Sequence, residues 1–158
     1  MSTRDELVHA VTAFDHRRMR RVDYNIYALA QYLHRVDDIM ADIAAFFSRS
    51  LAIADRAGIA RDNIVLDPGI GFGKTPEQSI IALSRLSELK SFGLPLLVGA
   101  SRKRFIDSVS PAPPDRRIGG SIASHLIAVA SGAAIVRVHD VAETVQALKV
   151  AAAIERAK

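Results

Sequence analysis

The chain has 158 residues, 49% of them hydrophobic, which is enough for one domain with a sizeable core. It has no cysteine, which excludes disulfides and thiolate zinc sites, and no run of about 20 apolar residues that would predict a membrane span. These two features lead us to expect a cytoplasmic protein without a membrane partner. Its net charge of +4 lies in local clusters without a nucleic-acid-binding motif, so we expect no nucleic-acid partner either.

The first 35 residues carry few structural signals. Thr3 and Glu6 fit a capping box for a short helix, and a basic cluster follows at 15–21. Such a cluster is typical of a solvated face, with a phosphate-binding or partner-binding patch as the alternative. We assign residues 1–35 as an N-terminal segment of unclear role.

A second region, residues 36–158, begins with a helical pattern. Apolar residues recur at helical spacing from about Val36 to Ala57, and Gly58 ends the pattern. This spacing predicts an amphipathic helix whose apolar stripe packs on a sheet.

A glycine-rich loop follows a short apolar run from Ile64 to Leu66, which predicts a strand that ends in a ligand-binding turn. The phosphate-loop pattern GxxxxGK[ST] fails because Pro68 occupies the first glycine position. The dinucleotide pattern GxGxxG fails because Lys74 occupies the third. The segment 75–78, Thr-Pro-Glu-Gln, then predicts a capping box at the start of a helix.

The rest of the chain alternates helical and strand patterns, which predicts parallel strands joined by right-handed crossovers and therefore an α/β fold. A helix with Ile80 and Ile81 on its apolar stripe ends at Phe92 and Gly93, and a strand from Leu94 to Gly99 follows. Next come a surface loop from Phe105 to Arg117 and a helix from Gly119 to Gly132. A strand from Ala133 to His139 then leads to a helix from Val145 to Ile154, capped by Asp140 and Glu143.

Charged residues stand at the carboxyl ends of all three predicted strands. Asp67 follows the first, and a carboxylate there can accept two parallel hydrogen bonds from an amino-pyrimidinone edge. The alternative is that Asp67 only caps the turn before Pro68. Lys103, flanked by Ser101 and Arg102, follows the second strand and offers a point charge with three donors, or belongs to a solvated basic cluster.

The third strand ends with Arg137 and His139, which share one face because side chains alternate along a strand. A guanidinium fork beside an imidazole is suited to a diphosphate. Two further basic residues are weaker candidates. His125 is interpreted as a helical histidine with its hydrogen bonds satisfied, with a ligand contact as the alternative, and solvation beside the Thr75 cap explains Lys74.

Three segments together resemble one family. They are Asp-Pro-Gly-Ile-Gly-Phe-Gly-Lys at 67–74, Val-Gly-Ala-Ser-Arg-Lys-Arg-Phe-Ile at 98–106 and Ile-Val-Arg-Val-His-Asp at 135–140. They are similar to three signatures of the dihydropteroate synthases, in the same order. The resemblance implies that residues 36–158 are the C-terminal half of a pterin-binding (β/α)8 TIM barrel, with parallel βα units that match strands six to eight.

The resemblance also implies an enzyme of folate biosynthesis, a transferase that condenses 6-hydroxymethyl-7,8-dihydropterin diphosphate with 4-aminobenzoate. Asp67 and Lys103 then hold the pterin, Phe72 packs against the aminobenzoate ring, and Arg137 with His139 binds the leaving diphosphate. The implied substrate-binding residues are Asp67, Gly71, Phe72, Ser101, Arg102, Lys103, Arg137 and His139, of which Lys103, Arg137 and His139 are the catalytic candidates.

The sequence departs from the family in several places. It has no Asn-x-Thr-Pro-Asp-Ser-Phe, Val-Asp-Thr or Ile-Asn-Asp segment, so the family's Mg²⁺-associated asparagine and its other pterin contacts are missing. The resemblance implies Mg²⁺ as cofactor, but we assign no metal ligand in this chain. Asp107 also stands where the family often has glycine.

The chain is shorter than a whole (β/α)8 barrel, which takes about 250 residues. We therefore expect an incomplete, truncated chain, and leave open whether it is active alone. The alternatives are a non-catalytic module that binds pterin or another anion, and an assembly partner of a separate N-terminal half. Unpaired strand edges favour association, either as a homo-oligomer or with a complementing barrel half.

Overall fold

A computed structural model describes residues 38–157, so the predictions for residues 1–35 lie outside the described part of the chain. The described elements are helices α1 (Ile39–Arg56), α2 (Pro76–Ser84), α3 (Arg104–Val109), α4 (Ile118–Ala130) and α5 (Val141–Arg156), strands β1 (Leu97–Val98) and β2 (Ile135–Val136), and 3₁₀ helices at Arg61–Asn63, Leu86–Phe92 and Pro114–Arg116.

A small parallel sheet confirms the predicted α/β class. Strand β1 pairs with β2 in the register Leu97 to Ile135. Leu66 forms a parallel bridge on the other side of β1, since its amide donates to Pro95 O at 2.9 Å and its carbonyl accepts from Leu97 N at 2.8 Å. The three predicted strands were too long. Each segment pairs over only one or two residues because the ladder stops where the chain turns into the loops at the carboxyl ends.

Helix α1 matches its prediction from Ile39 onward. Asp38 is the N-cap and accepts from Met40 N at 2.9 Å. Phe47 lies on the buried face and meets Phe92 edge to face, with ring centroids 5.5 Å apart. The aromatic residues of this helix therefore belong to the core, and Gly58 follows its end at φ +70°.

The next predicted helix is two helices. The capping box at Thr75 is formed as expected, but α2 ends at Ser84 and a 3₁₀ helix continues to Phe92, with Gly93 left-handed after it. With three residues per turn, a 3₁₀ helix aligns positions i and i+3, which brings Leu86 and Leu89 onto one buried face. Ile80 and Ile81 were predicted on the apolar stripe and are exposed instead, because the face that α2 buries carries Ser79, Ala82 and the correctly predicted Leu83.

The prediction of a surface loop from Phe105 to Arg117 was wrong. This segment forms α3 and a 3₁₀ turn, and it buries Phe105 and Ile106. Gly120 of α4 packs directly against Ile106, where a larger residue would not fit. The prolines identify a turn, but the close approach of α4 determines that the preceding residues fold inward.

Helix α4 has an unexpected orientation. Its buried residues are small or polar, while Ile127 is 55% exposed. Buried residues of α4 are Ser121, Ser124, His125 and Ala128. His125 is fully buried, and only one of its ring nitrogens has a hydrogen-bond partner within residues 38–157, so the predicted satisfied histidine is satisfied at Nε2 but not at Nδ1.

Helix α5 begins at Val141, four residues earlier than predicted, and the expected capping box is absent. Asp140 occupies the N-cap without a side-chain capping bond. Its carboxylate binds the Arg102 guanidinium instead. A charged hydrogen bond to Arg102 replaces the weaker cap interaction with the helix amides.

The helices pack around one core, and the loops at the carboxyl ends of the parallel segments lie together at one edge. Helix α2 packs against α1, α3 and α4, and α5 packs against α4. The carboxyl ends of Leu66, β1 and β2 meet at one edge because the three segments are parallel. The loops after these segments are therefore neighbours.

Candidate active site

The glycine loop, residues 67–74, begins directly after the Leu66 bridge. Gly69, Gly71 and Gly73 all have φ between +60° and +73°, a left-handed conformation that L side chains rarely adopt. The Gly69 amide donates to Asp67 Oδ1 at 2.8 Å. Asp67 therefore does cap its own turn, and this bond also fixes the orientation of its carboxylate.

The Asp67 carboxylate lies in a mostly desolvated position among cations. Its side chain is 11% exposed, and Arg137 Nη2 lies 3.9 Å from Oδ2. Burial raises the pKa of Asp67, while the Gly69 amide and then the charges of Arg137, Lys103 and Lys74 oppose that rise. One oxygen serves the turn and the other faces the basic side chains.

Lys103 and Phe72 are in contact. The Lys103 ammonium lies 3.6 Å from the centroid of the Phe72 ring, a cation–π geometry. Burial lowers the pKa of Lys103, the nearby Arg137 lowers it further, and Asp67 opposes both effects. Gly71 makes room for this arrangement, because a Cβ there would lie 3.0 Å from Lys103 Cδ.

Arg137 follows β2 and remains beside β1 through its amide, which donates to Val98 O at 2.9 Å. Its guanidinium lies over Gly99, where a Cβ would be 2.7 Å from Nη2. The side chain is 48% exposed and approaches Asp67 from the open side. The predicted residues Asp67, Phe72, Lys103 and Arg137, with Gly71, thus form one group.

His139 is held by Ser101 from the neighbouring strand end. The Ser101 hydroxyl oxygen lies 2.9 Å from His139 Nδ1 and accepts the His139 backbone amide at 3.2 Å. Ser101 is buried, and its hydroxyl is engaged by the histidine. The structure therefore places Ser101 behind His139, as a residue that orients the imidazole.

The Arg102 side chain turns away from this group. Its Nε donates to Asp140 Oδ2 at 3.1 Å, and its Nη2 donates to the other carboxylate oxygen. The guanidinium bonds hold the pKa of Asp140 below its usual range. Arg102 also has φ +58°, so its backbone turns the loop while its side chain ties that loop to the start of α5.

Lys74 belongs to the group, although sequence reasoning interpreted it as solvated. Its Nζ donates to Gly69 O at 3.1 Å and faces Asp67. Burial lowers its pKa to about 8, against the opposing charges of Asp67 and Asp42. The signal in the sequence was its position at the end of a loop with three glycines. Its ammonium shares the Gly69 carbonyl with the Phe72 amide, which donates to the same oxygen at 3.0 Å.

The described part of the chain carries neither a cluster of metal ligands nor a membrane-spanning helix. No three histidine or acidic side chains within residues 38–157 converge as metal ligands do. No helix in the same range is both long enough and apolar enough to cross a membrane.

Comparisons with known proteins agree on one family. A family model described as "Pterin binding enzyme" matches residues 23–139. The dihydropteroate synthase of Escherichia coli strain K12 is 44% identical over 124 residues, and that of Synechocystis is 46% identical over 127 residues. These matches cover 78% and 80% of this chain but 44% of each relative.

Solved structures give the same result. The dihydropteroate synthase of Yersinia pestis with a pterin–sulfa conjugate is 46% identical, with a TM-score of 0.75, over 78% of this chain and 49% of that one. The enzyme of Xanthomonas albilineans in complex with 7,8-dihydropteroate is 40% identical, with a TM-score of 0.75, over 77% and 48%. The chain thus spans somewhat less than half the length of the relatives it matches. It belongs to the pterin binding enzyme family, whose dihydropteroate synthases it resembles over that span.

Proposed function

We propose that the chain supplies the pterin-binding and diphosphate-binding side of a dihydropteroate synthase. The observation that supports this best is the group formed by Asp67, Phe72, Lys103 and Arg137 at the carboxyl ends of parallel segments. Ligands of α/β proteins bind at that edge. The reaction joins the amine of 4-aminobenzoate to the methylene carbon of 6-hydroxymethyl-7,8-dihydropterin diphosphate.

Asp67 and Lys103 are the proposed pterin contacts. The outward oxygen of the mostly buried Asp67 carboxylate accepts from the amino-pyrimidinone edge, and its charge is supported by Arg137, Lys103 and Lys74. The Lys103 ammonium donates to the pterin carbonyl and ring nitrogen. Phe72, partly exposed and already packed on Lys103, offers its ring to 4-aminobenzoate, with Gly71 leaving space beside it.

Arg137 and His139 are the proposed contacts of the diphosphate, and with Lys103 the catalytic candidates. The carbon–oxygen bond to the diphosphate breaks as the amine nitrogen bonds to the methylene carbon, and the amine then releases a proton to solvent. Positive donors that hold the departing anion lower the barrier without acid–base chemistry. Arg102, paired with Asp140, contributes here by shaping the loop.

The larger assembly and the metal are also proposals. The three parallel segments correspond to strands six to eight of a (β/α)8 barrel, completed by another segment or by a partner. The Mg²⁺ implied by the family has no ligand set among residues 38–157, and the family's asparagine segment is not in the sequence. A cytoplasmic location, and association as a homo-oligomer or with a barrel half, likewise remain predictions.

A second candidate function is binding without turnover. It is favoured by the segments that the sequence lacks, since the family's second pterin acid and second pterin asparagine lie in them. Binding of the diphosphate needs only residues of this chain, whereas a full pterin pocket needs more. The two candidates predict different results in an assay of diphosphate release.

Calorimetric titration with diphosphate tests the proposed site. We expect the parent chain to bind weakly at low salt, and Arg137→Ala and His139→Ala to bind less tightly, because a charge-assisted hydrogen bond contributes about 1.5–3 kcal/mol. Arg61→Ala is the matched control, since Arg61 is an exposed arginine whose ion pair, within residues 38–157, is with Asp55 at 3.5 Å. Equal affinity in all four proteins, or no binding by the parent, would refute the diphosphate site.

A further inference from the structure

Three polar side chains of α4 lie along one face. Arg117, at the N-cap, is followed by Ser121 and His125 at intervals of four residues, the spacing that places side chains above one another on a helix. We name these three residues the polar stripe. All three are buried, whereas the apolar Ile127 of the same helix is exposed, which is the reverse of the usual orientation.

The polar stripe contacts one short loop, residues 100–103, through that loop's backbone. His125 Nε2 accepts from Ala100 N at 3.2 Å. Ser121 Oγ accepts from Arg102 N at 2.8 Å. Arg117 Nη1 donates to Arg102 O at 3.2 Å. The three stripe residues thus bind three backbone groups of the loop that follows β1.

This loop has a conformation that its sequence does not favour. Arg102 has φ +58° without being glycine, and a left-handed residue costs roughly 1–2 kcal/mol. Such a residue persists when its surroundings determine its conformation. The turn it produces is closed by a bond from Lys103 N to Ala100 O at 3.4 Å, and it directs Lys103 toward Phe72.

Arg117 is itself fixed by other groups. Its guanidinium donates to Ala112 O at 2.7 Å and pairs with Asp107 Oδ1 at 2.9 Å. Asp107 also accepts from Ala112 N at 3.1 Å. The acid that stands where the family often has glycine is therefore the partner of Arg117. A buried arginine with its bonds satisfied is a rigid support for the loop.

We propose that the polar stripe is a positioning device, which holds the loop 100–103 in its strained turn so that Lys103 lies over Phe72 and Ser101 reaches His139. The role of those residues toward a ligand rests on the proposed function. Their placement in the free protein does not depend on that function, because contacts within the chain determine it. The stripe residues are positioning residues, because they act through the loop backbone.

Ser121→Ala tests the proposal, because alanine suits a helix and leaves the Arg102 amide without its acceptor. Ser124→Ala is the matched control, since that buried hydroxyl donates only within α4, to Gly120 O at 2.7 Å. The readout is the proton resonance of the Lys103 side chain, which the Phe72 ring current displaces upfield. Phe72→Leu assigns that displacement.

We expect Ser121→Ala to lose most of the upfield displacement while remaining folded by circular dichroism, and Ser124→Ala to keep it. Arg117→Lys, which retains the charge near Asp107 but lacks the planar fork, should show a similar loss. If both variants keep the Lys103 resonance of the parent chain, the stripe does not position the loop.

Binding of 6-hydroxymethyl-7,8-dihydropterin diphosphate to the same samples separates the two proposals. A parent protein that shows the displaced Lys103 resonance but binds no pterin diphosphate contradicts the proposed function, and its Ser121→Ala spectrum still decides the positioning role. If the parent does bind, an affinity loss in Ser121→Ala and none in Ser124→Ala supports both.

Discussion

The two loops that meet at the candidate site obtain their shapes in opposite ways. The glycine loop, residues 67–74, turns at three glycines with positive φ, so its conformation is available to its own backbone. The loop at 100–103 makes a left-handed turn at Arg102, and its shape depends on side chains of α4 that lie 15 to 25 positions further along the chain. One loop is built locally and the other is held from outside.

The two loops also differ in the free-energy cost of their conformations. A loop of glycines adopts left-handed angles without a steric penalty but loses much conformational entropy when it orders. A loop held by buried hydrogen bonds is ordered by its neighbours, and each bond that is removed leaves a buried polar group unsatisfied. Changes to α4 should therefore alter the second loop strongly, and the first loop only through Lys103.

Acidification should produce the largest effect, through His125. Burial lowers its pKa to about 4, so between about pH 6.5 and 4 the unfolded chain binds a proton at this residue and the folded chain does not. Stability should then fall as pH decreases through that window, by up to about 3 kcal/mol, since each pKa unit corresponds to about 1.4 kcal/mol. Urea unfolding at pH 7 and 4.5 measures this loss.

His125→Gln is the control for that measurement. Glutamine does not titrate, and it offers a carbonyl oxygen to the Ala100 amide in place of Nε2. We expect a smaller loss of stability between pH 7 and 4.5 in this variant than in the parent. Equal losses would mean that carboxylates alone cause the acid sensitivity, and that His125 is more exposed to water than its contacts indicate.

Substitution of two adjacent glycines of α4 should act in opposite directions. A Cβ on Gly120 would meet Ile106 Cγ2 directly, and overpacking costs about 1–3 kcal/mol. Gly119 has nothing within 4 Å, so alanine there should stabilise the helix by up to about 0.5–1 kcal/mol. Thermal unfolding of Gly120→Ala and Gly119→Ala compares them. A loss of the Lys103 resonance shift in Gly120→Ala alone would show that the distance between α4 and its neighbours determines the conformation of the loop at 100–103.

The contrast between the loops also explains what the sequence could predict. The glycine loop, the Asp67 turn and the capping box at Thr75 were predictable because each depends on neighbouring residues. Arg137 and His139 are both exposed, which agrees with the predicted alternation of side chains although β2 itself ends at Val136. These features needed no knowledge of how the helices pack.

The features that were missed depend on contacts between distant segments. Arg117 was assigned to a surface loop, and the packing of α3 and α4 buries it and brings it to Asp107. The expected cap at Asp140 was lost to Arg102, 38 residues earlier in the chain. In both cases a tertiary contact outweighed a local preference. Lys74 is the exception: it was interpreted as solvated because the fold of its own glycine loop, which covers it, is not a periodic pattern.

Within the glycine loop, Gly71 should matter in two ways. Alanine there is strained at φ +73°, at a cost of roughly 1–2 kcal/mol, and its Cβ would also lie 3.0 Å from Lys103 Cδ. Gly93→Ala is matched, with φ +67° and nothing within 4 Å. Denaturant midpoints should fall by similar amounts in both, while only Gly71→Ala displaces the Lys103 resonance. A resonance that moves equally in both variants would argue against the contact.

The smallest effect on stability should come from Lys74, which bonds to the glycine loop and faces Asp67. Its pKa is lowered by burial to about 8, so between about pH 8 and 10.5 the unfolded chain is protonated at this residue and the folded chain is not. Stability from this group should therefore rise with pH in that window. The gain is reduced because the amine is partly exposed and also donates to Gly69 O.

Lys74→Met removes the titration, and Lys149→Met, at an exposed position on α5, is the control. The stability difference between Lys74→Met and the parent should become less favourable to the variant from pH 7 to 10, while that of Lys149→Met stays constant. This outcome would show that the loop built from glycines carries a partly buried charge beside Asp67. A constant difference for both variants would leave the glycine loop as a purely local structure, with Lys74 a solvated lysine.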